Sequence, residues 1–233
     1  MILSPQSSGR HGGATEVSIP PTELPGTLRI PEGANAIVVF AHGSGSSRLS
    51  PRNVAVANAL NARRMATLLF DLLTPDEEPD RANVFNIRLL AERLLDAVRW
   101  LNREPHVGAL PLGLFGASTG AAAAIVVAAK LGDRVGAVVS RGGRPDLACD
   151  VLDQVRTPTL LIVGGDDTVV IELNERAFER LAGPKTLEIV PGASHLFPEP
   201  GALEAVIGLA AQWFEDHLAT NAPKRTSSAK TRG

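Results

Sequence analysis

Leu110-Pro111-Leu112-Gly113-Leu114-Phe115-Gly116-Ala117-Ser118-Thr119-Gly120, followed by the small-residue run 121–129, decides the reading of this chain. An apolar run of strand character leads into Gly-x-Ser-x-Gly, and a helix-forming stretch leads out. A serine hydroxyl is a poor nucleophile at neutral pH unless it is exposed, deprotonated by a neighbour and given a place for negative charge. A sharp strand-to-helix turn supplies the exposure, and small residues on either side let strand and helix approach. The helix N-terminus behind it offers free N–H groups. Five letters alone also suit a glycine-rich loop with an incidental serine, so the rest of the chain must decide.

Working outward, near-continuous Val/Ile/Leu runs alternate with helical patterns. Strands are expected at residues 36–41, 66–70, 112–115, 135–140, 159–163 and 186–190. Helices are expected at 53–64, 83–103, 119–131, near 146–154, and at 171–181 and 200–218. Residues 15–30, punctuated by Pro20, Pro21 and Pro25-Gly26, suggest an edge hairpin. This alternation predicts an α/β domain, a mostly parallel central sheet with helices on both faces. A single domain is expected over residues 15–220, with a flexible start at 1–14 and a disordered basic tail at 221–233.

Composition narrows the class. A chain of 233 residues with 44% hydrophobic content can build a full core. A net charge of −2 without a long basic stripe argues against nucleic acid as a partner. The single cysteine, Cys149, excludes an internal disulfide and cysteine-based zinc sites. Neither His-Glu-x-x-His nor a Cys/His cluster occurs, so no metal is expected. The polar start is unlike a signal peptide, and the apolar run at 120–129 is too short to span a bilayer. A cytoplasmic protein without membrane contact is therefore expected. The oligomeric state is not legible.

In open parallel sheets, functional groups gather in loops after the carboxyl ends of strands. Loops there carry His42-Gly43-Ser44-Gly45 with Arg48, Asp71, Ser118, Arg141 with Arg144, Asp166-Asp167 and His195. Gly164-Gly165-Asp166-Asp167-Thr168-Val169 follows one strand, and Gly192-Ala193-Ser194-His195 follows the last. Serine, acid and histidine thus occur in that chain order.

These motifs resemble the α/β-hydrolase superfamily, and more narrowly its small dienelactone-hydrolase-like esterases, over roughly residues 34–218. The resemblance implies that Ser118 is the nucleophile, His195 the general base and acid, and Asp167 the carboxylate that orients it. The oxyanion hole would use the backbone N–H groups of Ser44 and Thr119. Dienelactone hydrolases proper use a cysteine where this chain has Ser118, which favours ordinary ester chemistry. The acid's usual offset from Gly164 selects Asp167 over Asp166. His42 is expected to support the oxyanion loop structurally, and Asp71 to cap a loop. Arg48 and Arg141 are candidates for binding a carboxylate or phosphate on the substrate, against a reading in which such arginines form loop-organising salt bridges.

The expected activity is cleavage of carboxylic esters of small or medium acyl chain, without a cofactor. The short interval before the strand at 159 leaves no room for a lid. Thioesterase, lactonase, peptidase and haloperoxidase chemistry share this apparatus, and some such folds are non-catalytic binding proteins. A dinucleotide site at Gly43-Ser44-Gly45 is disfavoured, because position 48 is Arg where a third glycine is needed. The Gly-x-x-x-x-Gly-Lys phosphate loop is absent.

Overall fold

The computed structural model describes residues 13–218. The strands are β1 (Ala14–Ile19), β2 (Leu24–Arg29), β3 (Ala36–Ala41), β4 (Met65–Phe70), β5 (Leu112–Ala117), β6 (Ala137–Arg141), β7 (Thr159–Gly164) and β8 (Lys185–Val190). They form one eight-stranded sheet in the order β1-β2-β4-β3-β5-β6-β7-β8. The edge hairpin expected at 15–30 is β1–β2, which joins β4 antiparallel, and all pairs from β4 to β8 are parallel. β1 begins at Ala14, inside the segment expected to be flexible. The remainder of that segment up to residue 12, and the tail expected at 221–233, lie outside the described residues.

Six α-helices accompany the sheet: α1 (Pro51–Ala62), α2 (Arg81–Val84), α3 (Ile87–Leu101), α4 (Thr119–Leu131), α5 (Thr168–Arg180) and α6 (Ala202–Leu218). Both sheet faces are covered because each central strand is apolar on both sides. In β3, Ile37, Val39 and Ala41 pack into one core with Leu94 of α3, Ala123 of α4 and Ala177 of α5. The alternating Ala36, Val38 and Phe40 pack into a second core with Val56 and Leu60 of α1 and Val206 and Phe214 of α6. The period of two along a strand produces this division. α4 is apolar nearly all round, with Ala121–Ala124 at most 1% exposed, as a helix central to its layer requires.

One expected element divides. The apolar periodicity over 83–103 predicts one helix, yet the chain forms α2 and then α3. Asn86 leaves helical geometry (φ −79°, ψ 82°) and its side chain accepts a hydrogen bond from Leu89 N–H. An N-cap of this kind satisfies a donor that an unbroken helix would have used internally, so it restarts the helix. The connection from β6 to β7 holds one 3-10 stretch, Pro145–Gln154, and no lid is inserted there. Among the described residues, no helix is long and apolar enough to cross a membrane.

The sheet positions the site through its order. β4 lies on one side of β3 and β5 on the other, so the chain reverses its winding direction between β3 and β5. Loops leaving such adjacent strands diverge and open a crevice at their carboxyl ends. His42 follows β3 and Ser118 follows β5, with Ala41 paired to Gly116 in register.

Candidate active site

Ser118 adopts φ 51° and ψ −121° between β5 and α4. Backbone in this region costs a non-glycine residue on the order of 1–3 kcal/mol, and it persists only where the surroundings over-determine it. The two flanking glycines provide that constraint. A Cβ at Gly116 would lie 2.3 Å from Ala121 Cα, and one at Gly120 would lie 2.2 Å from the Ala41 carbonyl oxygen. Strand, turn and helix are therefore held at distances only glycine permits. Ser118 N–H donates to the Arg141 carbonyl (3.2 Å) and the Ser118 carbonyl accepts from Arg144 N–H (3.1 Å). The turn is thus pinned to the loop after β6.

His195 and Asp167 meet directly. His195 Nδ1 lies 2.6 Å from Asp167 Oδ2. A carboxylate oxygen accepts, so Nδ1 carries the proton and Nε2 is left as the acceptor. The Asp167 carboxylate forgoes capping α5, whose N-cap position it occupies, and is given to the imidazole instead. Asp166 is exposed, and its backbone N–H donates to the Ala193 carbonyl (3.0 Å). Gly142 links the histidine to the serine turn. It follows Arg141, and a Cβ there would lie 3.5 Å from the His195 ring. Among the described residues Ser118 Oγ has no hydrogen-bond partner, so the structure brings His195 to the serine turn without closing the Ser–His bond.

The loop after β3 passes over the same turn. A Cβ at Gly43 would sit 2.9 Å from Ser118 Cβ. The backbone N–H groups of Ser44 and Thr119 make no hydrogen bond among the described residues, so both are available donors. A small cavity of about 90 Å³ lies beside them, lined by residues including Gly43, Ser44, Thr119, Leu72, Val84 and Leu90. Ser118 and His195 are outside its lining.

His42 braces this loop. Its Nδ1 lies 3.0 Å from the Gly43 carbonyl, and its Nε2 accepts from Leu72 N–H at 3.0 Å. Both ring nitrogens are occupied, which fixes the neutral Nδ1–H tautomer. Burial holds this imidazole below its ordinary value of 6.5. A depressed histidine stabilises the fold fully above the unfolded value, and loses that contribution as pH falls through the folded one. Acidification below about pH 6.5 is therefore expected to lower the melting temperature more steeply in the wild type than in His42→Gln. The difference is limited to one proton, about 1.4 kcal/mol per pH unit. Parallel melting curves from pH 7 to pH 5 would show that His42 is not a neutral brace.

The arginines divide. Arg48 donates to Asp71 through its backbone N–H and Nη1, each at 2.7 Å. Arg144 pairs with Asp146 through two contacts of 2.8 Å. These two organise loops, and the Asp71 carboxylate, expected to cap its own loop, instead anchors the loop after β3 through Arg48. Arg141 is different. It is 6% exposed, forms no ion pair among the described residues, and makes one long contact, Nη2 to Asn53 Oδ1 at 3.5 Å. Its guanidinium lies 5.9 Å above the ring of Phe197, a buried residue itself held at φ 57°. Burial, with the like charge of Arg52, lowers it to about 10. Burying an uncompensated charge costs on the order of several kcal/mol.

Two residues escape the sequence reading. Asn174 is fully buried, and its Nδ2 donates to the Gly143 carbonyl (3.0 Å), holding the loop after β6. The signal was an asparagine in the buried row Val170, Asn174, Ala177 of α5. Arg52 was missed because the first helix was expected to begin at 53, whereas Pro51 at the first helical position marks its start. His217 is partly buried, with its Nδ1 2.9 Å from the Trp213 carbonyl.

Residues 28–219 match the Dienelactone hydrolase family. The crystal structure of a dienelactone hydrolase from Anabaena variabilis superposes with a TM-score of 0.84 at 54% identity, covering 89% of this chain and 98% of that one. Est1E from Butyrivibrio proteoclasticus shares the fold at 17% identity, with a TM-score of 0.76 over 89% of this chain and 99% of that one. A Mycobacterium tuberculosis protein described as "Putative phosphoribosyl transferase" is 59% identical over 203 residues, which are 87% of this chain and 46% of that protein. The chain spans about half the length of that curated relative.

Proposed function

The chain belongs to the dienelactone hydrolase family, and from that premise we propose that it is a serine hydrolase cleaving carboxylic esters of small or medium acyl chain. One observation carries this reading: a serine forced to positive φ at a strand-to-helix turn, and a histidine packed on Gly142 of the loop bonded to that turn, its Nδ1 2.6 Å from a carboxylate. Ser118 Oγ attacks the ester carbonyl carbon while His195 Nε2 takes its proton. Asp167 holds the imidazole and stabilises the imidazolium that forms. The oxyanion is met by the N–H groups of Ser44 and Thr119, each such donor being worth roughly 100- to 1000-fold in rate. The carbon–oxygen bond to the alcohol then breaks, and the alcohol leaves with the proton from His195. Water, deprotonated by His195, attacks the acyl-enzyme and returns Ser118 with the free acid.

The apparatus also suits thioesters and lactones. The transferase description of the mycobacterial relative belongs to a protein of which the shared residues are 46%. Acyl size follows from the cavity. The cavity beside Ser44 and Thr119 is small, about 90 Å³, and includes the apolar Leu72, Val84 and Leu90 in its lining, which suits a short acyl chain. Across p-nitrophenyl esters, kcat/KM is expected to be greatest for acetate to butyrate and to fall about tenfold or more by decanoate, through loss of burial in a filled cavity. A preference for decanoate would refute the size assignment. Inactivity on all esters and thioesters tested would refute the activity.

A further inference from the structure

We propose that Arg52, Arg141 and the first turn of α1 form a subsite for a phosphate monoester group, so that the substrate is an ester that also carries a phosphate. The substrate clause rests on the hydrolase reading above. The subsite does not.

The first turn of α1 is a positive site without a counterion. Its N-cap, Ser50, makes no side-chain cap, and no acidic residue lies in the turn. Ser50 and Asn53 are 7% and 2% exposed, whereas Pro51 is exposed and Arg52 half-buried, so the turn has a buried side and an open one. Pro51 has no N–H, Val54 N–H is bonded to the Ser50 carbonyl, and the N–H groups of Arg52 and Asn53 have no acceptor among the described residues. A helix N-terminus with unmet N–H groups favours an anion.

Arg141 supplies the independent observation. It is more than nine-tenths buried, its Nη2 reaches Asn53 in this turn, and its Nε has no partner. Arg52 Nε is likewise buried and unpartnered. Among the described residues neither guanidinium forms an ion pair. The partly buried Arg48, Arg93 and Arg144 meet carboxylates at 2.7 to 2.8 Å, which Arg52 and Arg141 do not. Two cations and an uncapped helix end are balanced by a dianion better than by one carboxylate. Guanidinium forks and backbone N–H groups both match phosphate oxygens.

The subsite borders the chemistry. The Arg141 carbonyl accepts from Ser118 N–H, and its guanidinium covers Phe197, two residues beyond His195. The small cavity uses Leu72 and Leu90, which belong to the core beneath α3 and α4. Phe197 belongs to the opposite core, beneath α1 and α6. The cavity and the arginine pair therefore lie toward opposite faces of the sheet, so the acyl group is assigned to the cavity and the phosphate to the alcohol half.

Calorimetric titration of the wild-type chain with inorganic phosphate and with acetate, at constant ionic strength, tests the subsite without requiring turnover. The expected result is one phosphate per chain, acetate at least ~10-fold weaker, and a ~10- to 100-fold loss in Arg52→Gln and in Arg141→Gln, the value of one charge-assisted hydrogen bond. Arg52 is only partly buried, so Arg52→Gln keeps the test decisive if Arg141→Gln fails to fold. No phosphate binding, or equal affinity in Arg52→Gln, overturns the subsite. Acetate binding as tightly as phosphate overturns the dianion assignment. Phosphate should also raise KM for p-nitrophenyl acetate at unchanged kcat; a fall in kcat alone overturns the substrate clause. Phosphate binding by a chain that hydrolyses no ester would instead leave the subsite standing and remove the hydrolase reading.

Discussion

Ser118→Ala is expected to lower kcat on p-nitrophenyl acetate by at least ~10⁴-fold, because the step it removes is covalent and nothing else supplies a nucleophile. The fold should survive. Alanine at φ 51° carries about the strain serine does, and Ser118 Oγ has no hydrogen bond among the described residues for the substitution to break. Melting temperature and circular dichroism should therefore stay close to wild type. Ser118→Gly should also be inactive yet more stable, by about 1 kcal/mol, because glycine adopts positive φ without penalty. Inactivity with raised stability marks a strained catalytic turn. Retained turnover in Ser118→Ala would place the nucleophile elsewhere.

The second large effect separates two adjacent acids. Asp167→Asn should lower kcat by about 10⁴-fold, since an amide facing His195 Nδ1 can stabilise the wrong tautomer and cannot balance the imidazolium. Asp166→Asn should change kcat by less than about threefold, because its exposed side chain makes no contact with His195 and only its backbone N–H is used in the loop. The reverse ranking would show that the 2.6 Å contact between Asp167 and His195 does not carry the reaction. Melting curves of both variants keep loss of catalysis distinct from loss of fold.

Much of this was legible in the amino-acid order, for identifiable reasons. β3 through β7 are buried on both faces, so their sequences are nearly continuous Val, Ile, Leu and Ala, and alternation with helical patterns implies parallel pairing. Gly116, Gly120 and Gly43 are readable because close backbone approach leaves no alternative residue. What the sequence did not disclose depends on tertiary partners. Apolar spacing across 83–103 hides the cap at Asn86, whose effect comes from a local side-chain hydrogen bond. Arg48, Arg141 and Arg144 look alike in sequence. Only the fold shows that two of them meet Asp71 and Asp146 while Arg141 is buried beside Arg52 without a carboxylate. Asn174 sits in an otherwise apolar helix row, and its value lies in the Gly143 carbonyl that it reaches from another element.

Covalent labelling reads most directly whether Ser118 is an activated nucleophile. Treatment of the folded chain with a fluorophosphonate, followed by peptide mapping, should place one adduct per chain on Ser118. The adduct should be absent after heat unfolding and strongly reduced in Asp167→Asn, since reactivity depends on the assembled turn and its base. A folded chain that hydrolyses esters yet carries no adduct on Ser118, or carries it on another serine, would contradict the account.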